Sequence, residues 1–385
     1  IFWTHIYLKT ICYRYLLNLI LLLTLPISSA AQTNQETQLN QFFADVFAQY
    51  LERHPMRQST IGIKDNYDRW DDISEAFAAE SLALAKRHLA YMESHFDYVG
   101  LSRSSQLSYR LFQKMIADQV ERYQWRQYGF PVNQMFGLHS EIPAFLINIH
   151  RIDTLADAKA YIKRLRKIRP LLRQLISNLK LRETKDLWPP AFIYPHALGD
   201  IDNILRGAPF EQGQADSLLL ADFKRKIEPL ALSAKQKQRL IRKANKALLR
   251  SVQPGYRALA KTLRAQQRLA AGTDGAWRLP KGEQYYAFKL KEATSTNLSA
   301  EQIHRYGLKE IKRIHAEMAL VMKEVGFTGT LQDFFQHLRT DPRFYYPDTV
   351  QGKTAYLKHS SILIERMKKR LNEVFITRPE ADIIV

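Results

Sequence analysis

Past its twelfth residue the sequence contains no cysteine, Cys12 being the only one in 385 residues. Downstream of it there can be no disulfide, cysteine nucleophile or zinc ribbon. Also missing are a Gly-x-Ser-x-Gly elbow, a phosphate-cradling glycine loop and a His-Glu-x-x-His helix, so the commonest hydrolase, nucleotide-binding and zinc-protease signatures are absent. There is no succession of alternating apolar and polar runs, as half-buried strands would give, no internal repeat, and no methionine before Met56. What is present, 46% apolar and 25% charged residues, is the composition of a globular chain long enough to bury a sizeable core.

The first residues read as a targeting segment. Lys9 and Arg14 precede an apolar run from Leu16 to Leu25, closed by Pro26 and by small residues suited to cleavage after Ala30 or Ala31. The run is about half the ~20 residues that span a bilayer, and a polar stretch, QTNQETQLNQ, follows it. A secretory signal over 1–31 and a mature part over 32–385 are expected, with the protein periplasmic or secreted. A thiol-free exported chain points to a bacterial periplasm.

Beyond residue 38 the pattern is helical. Leu39, Phe42, Phe43, Val46, Phe47, Tyr50 and Leu51 recur at three and four, and this stripe must end near Pro55. Similar stripes run over 74–96 and 107–123. Four later starts carry a hydroxyl residue three before an acid or amide: Thr154 with Asp157, Ser233 with Gln236, Ser299 with Gln302, and Thr330 with Asp333. Each should open a helix. The Gly-rich stretches RGAPFEQGQADS and AAGTDGAWRLPKGEQ are loop or hairpin sites. The expected fold class is all-α, with at most a small β-hairpin.

The net charge is +19, and ten basic residues stand against one acid both between Lys159 and Lys185 and between Lys224 and Arg250. They are interleaved with apolar residues at helical spacing, as in AYIKRLRKIRPLLRQLISNL, so they belong to solvated faces of packed helices. Without aromatic platforms or a recognition-helix motif, nucleic acid is not an expected partner. A basic exterior suits anionic components of the envelope.

Candidate site residues are few. NQMFGLHSEIPAFLINIH, Asn133 to His150, gathers His139, Glu141 and His150, which are ligand types for zinc. Two and eleven residues apart, they match no ligand spacing, and histidines satisfied beside a core are expected instead. His304 and His315 share a helix face but stand about 16 Å apart along it, too far for one metal. The four aspartates of DNYDRWDD lack the glycine and distal glutamate of an EF-hand loop, so capping and hydrogen bonding around Trp70 are expected there. In TDPRFYYPDT, Tyr345 and Tyr346 lie between prolines in an extended piece, where one ring can pack while the other faces a cleft.

GIKDNYDRWDDIS, FPVNQMFGLHSEIPAFLINIHRI, GLKEIKRIHAEM and LRTDPRFYYPDT, in that order along the mature chain, resemble the N-terminal half of the bacterial family called domain of unknown function 885. The resemblance implies the first lobe of a two-lobed, exported, zinc-metallopeptidase-like hydrolase acting on peptides. The zinc helix it implies, His-Glu-x-x-Pro-Gly-His, has no counterpart in these residues. No catalytic residue, metal ligand or cofactor is therefore expected within the chain, and zinc belongs to the longer family member. The final DIIV reads as a strand awaiting a partner, with a catalytic half expected beyond residue 385. On this reading His139, Tyr345 and Tyr346 are the substrate-binding candidates, in one wall of a cleft that is inactive alone. The alternative is a non-catalytic helical binding or scaffold protein of the envelope.

Overall fold

A computed structural model describes residues 34–270, 275–378, 380, 381 and 383. The expected signal segment, Cys12, and Asp382, Ile384 and Val385 of the terminal apolar stretch lie outside the described residues. The chain divides into two compact units, Ile1–Phe288 and Lys289–Val385. Among the described residues there is no strand, and the fold is all-α. The stretch from Arg206 to Ser217 forms no hairpin; it is a loop closed by one parallel bridge between Ala208 and Asp216. No described helix is long and apolar enough to cross a membrane.

In the first unit, α1 (residues 34–53) stops before Pro55, as its stripe requires, and α2 (Pro55–Thr60) restarts with proline in its first turn. α3 (Glu75–His95) and α4 (Arg103–Trp125) follow the two apolar stripes, and the Ser74 side chain caps α3 by accepting from Phe77 N–H. These helices share a small core of Leu39, Met92, Phe96, Tyr109, Phe112 and Ile116.

The larger core surrounds α6 (Leu155–Glu183), where Tyr161, Leu165, Ile168, Leu172, Leu175 and Leu179 recur at three and four and are buried. Around it pack α5 (Leu138–Asn148), α7 (Ile193–Ile204), α8 (Leu218–Ile227), α9 (Ala234–Ala247), a π-turn (Leu248–Val252) and α10 (Gln253–Leu269). The basic residues of α6 at 163, 166, 169 and 173 face outward, as the helical interleaving predicts.

Two prolines inside helices show how these elements are tied together. Proline has no N–H, so the carbonyl four residues before it loses its helical donor. Pro170 frees the carbonyl of Arg166, and the Ser251 hydroxyl of the π-turn donates to it at 2.7 Å while accepting from Arg169 N–H at 3.1 Å. Pro143 frees the carbonyl of His139, and the buried Tyr256 hydroxyl of α10 donates to it at 2.7 Å. α10 comes close enough because residue 255 is glycine; a Cβ there would sit 3.1 Å from Leu172 and 3.3 Å from Arg169 Cα. Ser251→Ala should cost about 1–3 kcal/mol, the range for orphaning a buried acceptor. In a Pro170→Ala background the restored N–H satisfies Arg166, and the cost should shrink. Urea unfolding of the four proteins checks this double-mutant cycle, and equal costs in both backgrounds would refute the coupling.

The second unit holds α12 (Ala300–Glu324), α13 (Leu331–Thr340) and α14 (Val350–Arg370), after α11 (Gly282–Thr294), which crosses the boundary between the units. All four capping boxes read from the sequence are formed, at Thr154, Ser233, Ser299 and Thr330. Yet this unit buries little: among its described apolar side chains only Met322 and Phe334 are buried. On α12, Ile311, Ile314 and Val321, which share one face, are 52%, 38% and 46% exposed, and on α14 Leu363 and Met367 are exposed as well. These are the apolar positions of amphipathic helices, left facing solvent.

Candidate functional site

The segment from Asn133 to His150 forms a turn and then α5, whose N-cap is Gly137. Gly137 is required because a Cβ at this position would lie 2.8 Å from His139 Nδ1. The His139 imidazole is fully buried, and its Nε2 lies 3.2 Å from Asp200 Oδ2 on α7, whose carboxylate reaches solvent. Nδ1 is buried without a hydrogen-bond partner among the described residues. Burial pushes this imidazole below its usual pKa, and Asp200 opposes that shift. A neutral ring donating from Nε2 to Asp200 leaves Nδ1 as an unshared acceptor. The arrangement is a dyad whose imidazole has no exposed atom.

His150 closes α5 in a different setting. Its ring stacks on Tyr67 with centroids 4.1 Å apart, and its Nε2 is 3.2 Å from the carbonyl of Asp157. Its Nδ1 accepts from Arg164 Nη1 at 2.8 Å. Burial, reinforced by the Arg164 charge, pushes the imidazole down to about 3, so at neutral pH it accepts from the guanidinium and donates to the carbonyl. Arg164 is itself fully buried and has no carboxylate partner within ion-pair distance among the described residues. It donates to the carbonyl of Arg69 at 3.0 Å and to Ser59 Oγ at 2.8 Å, and it lies over the faces of Tyr67, Trp70 and Phe145. Lys226 Nζ binds the carbonyls of Leu146, Ile147 and His150 at 2.6–3.0 Å, a cation at the C-terminus of α5, and pairs with Asp222.

Three of the four aspartates of DNYDRWDD are spent in the same neighbourhood. Asp68 pairs with Lys167, Asp71 accepts from Met56 N–H, and Asp72 accepts from Ser74 N–H and Gln174 Nε2, while Trp70 Nε1 donates to the carbonyl of Arg164. These three cap and hydrogen-bond around Trp70, as expected, while Asp65 lies exposed. Sequence reasoning missed Arg164 and Asp200. Position 164 lies three after Tyr161 and four before Ile168, in the apolar phase of α6, and that register was the available signal. Asp200, 61 residues from His139, gives none.

Tyr345 and Tyr346 belong to the second unit. They follow the short 3-10 turn Pro342–Phe344, and Tyr345 is extended at φ −127°, ψ 146°. Tyr346 hydrogen-bonds His359 on α14 and meets the Tyr356 ring edge-on. The exposed Tyr345 hydroxyl has no hydrogen-bond partner among the described residues. His304 and His315 are both exposed on α12. Among the described residues no three His, Cys, Asp or Glu side chains gather as a metal ligand set. The described residues therefore offer no ligand set for the zinc that the resemblance places in the longer family member.

A half-open groove of about 670 Å³ lies in the first unit between α1, α3 and α4. Phe47, Tyr50, Leu111 and Met115 line it, with Arg53 and His88 among its few polar residues.

A family model described as "Bacterial protein of unknown function (DUF885)" matches residues 55–385. The chain belongs to the DUF885 family. No curated protein matches it. Among solved structures, a candidate lipoprotein from Colwellia psychrerythraea has a similar fold, with a TM-score of 0.75 at 21% identity. The match covers 90% of this chain but 61% of the Colwellia chain, so this DUF885 member spans less than two thirds of that protein.

Proposed function

We propose that this DUF885 chain forms the helical wall of a substrate cleft in an exported, zinc-metallopeptidase-like hydrolase acting on peptides, and that the metal-bearing catalytic part packs on the apolar face of its second unit. The observation that carries the reading is that face: α12 has a well-capped, strongly amphipathic sequence, yet Ile311, Ile314 and Val321 on its apolar side lie open. An apolar stripe of this length on a soluble helix calls for a covering surface. The peptidase assignment comes from the sequence resemblance. Export is supported by the apolar run Leu16–Leu25 with its basic flank, and by the likeness to a candidate lipoprotein. Tyr345 and Tyr346 of the second unit are the proposed substrate-binding residues. Tyr345, with its open phenol, is the one able to donate to a carbonyl directly, and buried His139 acts by holding the α5 turn. No step is assigned to a metal in this chain.

The groove of α1, α3 and α4 favours a second reading, a non-catalytic helical binding or scaffold protein of the envelope, since an apolar concavity of this size suits a ligand or partner helix. The reading frame beyond residue 385 and peptide cleavage by the protein it encodes decide between them. We expect a His-Glu-x-x-Pro-Gly-His segment, stoichiometric zinc and cleavage only in the extended protein. There Tyr345→Phe or Tyr346→Phe should lower turnover by about 100- to 1,000-fold if its hydroxyl serves a developing oxyanion. Cleavage by the 385-residue chain alone would overturn the proposal, and a metal-free, inactive extended protein would favour the scaffold.

A further inference from the structure

The outward side of α6 carries charge of one sign. Exposed positions recur along it at 159, 163, 166, 169, 170, 173, 177 and 180, and they hold Lys159, Lys163, Arg166, Arg169, Arg173 and Lys180 with no acid among them. At 1.5 Å per residue the stripe runs about 32 Å. Lys163 is 3.5 Å from Asp68. Lys159, Arg166, Arg169, Arg173 and Lys180 make no side-chain hydrogen bond or ion pair among the described residues. Exposed Arg250 adds to them, because the next residue, Ser251, is bonded to the backbone of both Arg166 and Arg169.

A folded surface ordinarily sets opposite charges beside one another, and this molecule does so elsewhere, at Lys114 with Asp118 and at Arg313 with Glu310 and Glu317. Three arginines at 166, 169 and 173, spaced by three and four without counter-charge, repel one another in the folded state. That cost is relieved when an anionic surface lies across them.

We propose that the α6 stripe, extended by Arg250, is a docking surface for an anionic phospholipid membrane. The shape and composition of the stripe favour a bilayer over a nucleic acid. It is a ridge along one helix, not a cleft, and none of its exposed positions is aromatic, so it offers bases nothing to stack on. Leu249, 42% exposed beside Arg250, adds an apolar contact that a bilayer interface accepts and a phosphate polymer does not. Each basic side chain near such a surface strengthens binding by about fivefold, and added salt screens the attraction.

The test is co-sedimentation of the full chain with vesicles of phosphatidylcholine alone and of phosphatidylcholine mixed with phosphatidylglycerol. Binding is expected only to the mixed vesicles and should fall at high salt. The variant Arg166→Gln/Arg169→Gln/Arg173→Gln should bind on the order of a hundredfold more weakly. A control, Lys86→Gln/Arg87→Gln/Arg110→Gln, removes the same charge from exposed positions of α3 and α4 and should retain binding. Equal loss in both variants would assign the effect to diffuse net charge and overturn the proposal. So would equal binding to neutral vesicles, or tighter binding to duplex DNA that the stripe variant abolishes.

Discussion

Replacing Arg164 with alanine is expected to destabilise the first unit by about 3–5 kcal/mol, the largest single-residue effect in the chain. Arg164 is the bulkiest fully buried side chain and bridges segments far apart in sequence: Ser59 of α2, Arg69 in the following loop, and His150 at the end of α5. No carboxylate sits within ion-pair distance of its guanidinium, and burial pushes it down to about 10, so it remains charged at neutral pH. Two neutral acceptors, one imidazole nitrogen and three aromatic faces take the place of water around that charge. Alanine removes the charge but orphans His150 Nδ1 and the Arg69 carbonyl and leaves a cavity, and these costs add. Arg164→Lys keeps the charge but supplies one donor centre in place of a fork, so it should recover only part of the loss. Chemical denaturation monitored on Trp70, which donates to the Arg164 carbonyl, is the measurement. A loss in Arg164→Ala below about 1 kcal/mol would mean that the cage does not hold these elements together.

The features legible in advance were those fixed by local chemistry. Thr154 and Asp157 needed only their spacing to predict a capping box, because the two bonds involved span three residues. The run KRLRKIRP was legible as a solvated face at 163, 166 and 169, but Arg164, between them, points inward. Charge type argued for solvent at that position, and helical phase won because aromatic faces and carbonyls were waiting on neighbouring elements. The loop that supplies Tyr67, Arg69 and Trp70 comes from about 95 residues earlier in the chain, and a single sequence does not say which loops meet. The same holds for His139, which was singled out for its residue type. Its partner Asp200 and the Tyr256 hydroxyl on its carbonyl are supplied by α7 and α10. Pro143 and Pro170 carried a further signal, since each implies an orphaned carbonyl, but only the packing reveals which hydroxyl answers it. The open stripe of α12 was legible as amphipathic without any indication that it would remain uncovered.

Acid should unfold the first unit earlier than its carboxylates alone require, and His150 should be responsible. In the unfolded chain an imidazole titrates near about 6.5, whereas in the fold burial and Arg164 hold it down to about 3. Between those values the unfolded state binds a proton that the folded state refuses, so stability falls as pH falls. The contribution is fully present above about pH 6.5, is lost at about 1.4 kcal/mol per pH unit below it, and levels off near about pH 3. From about pH 6 to about pH 4 this one residue removes on the order of 2–3 kcal/mol. His139, lowered in the same direction by burial, acts with the same sign. Asp68 and Asp157, held low by Lys167 and Lys64, lose their contributions only at more acid pH. His150→Gln separates these sources, because the amide oxygen can accept from Arg164 while nothing at the position titrates. The variant is expected to be less stable at neutral pH, having lost the stacking on Tyr67, but to lose stability more slowly below about pH 6. Urea midpoints across that range give both slopes, and parallel slopes for wild type and variant would clear His150 of the acid response.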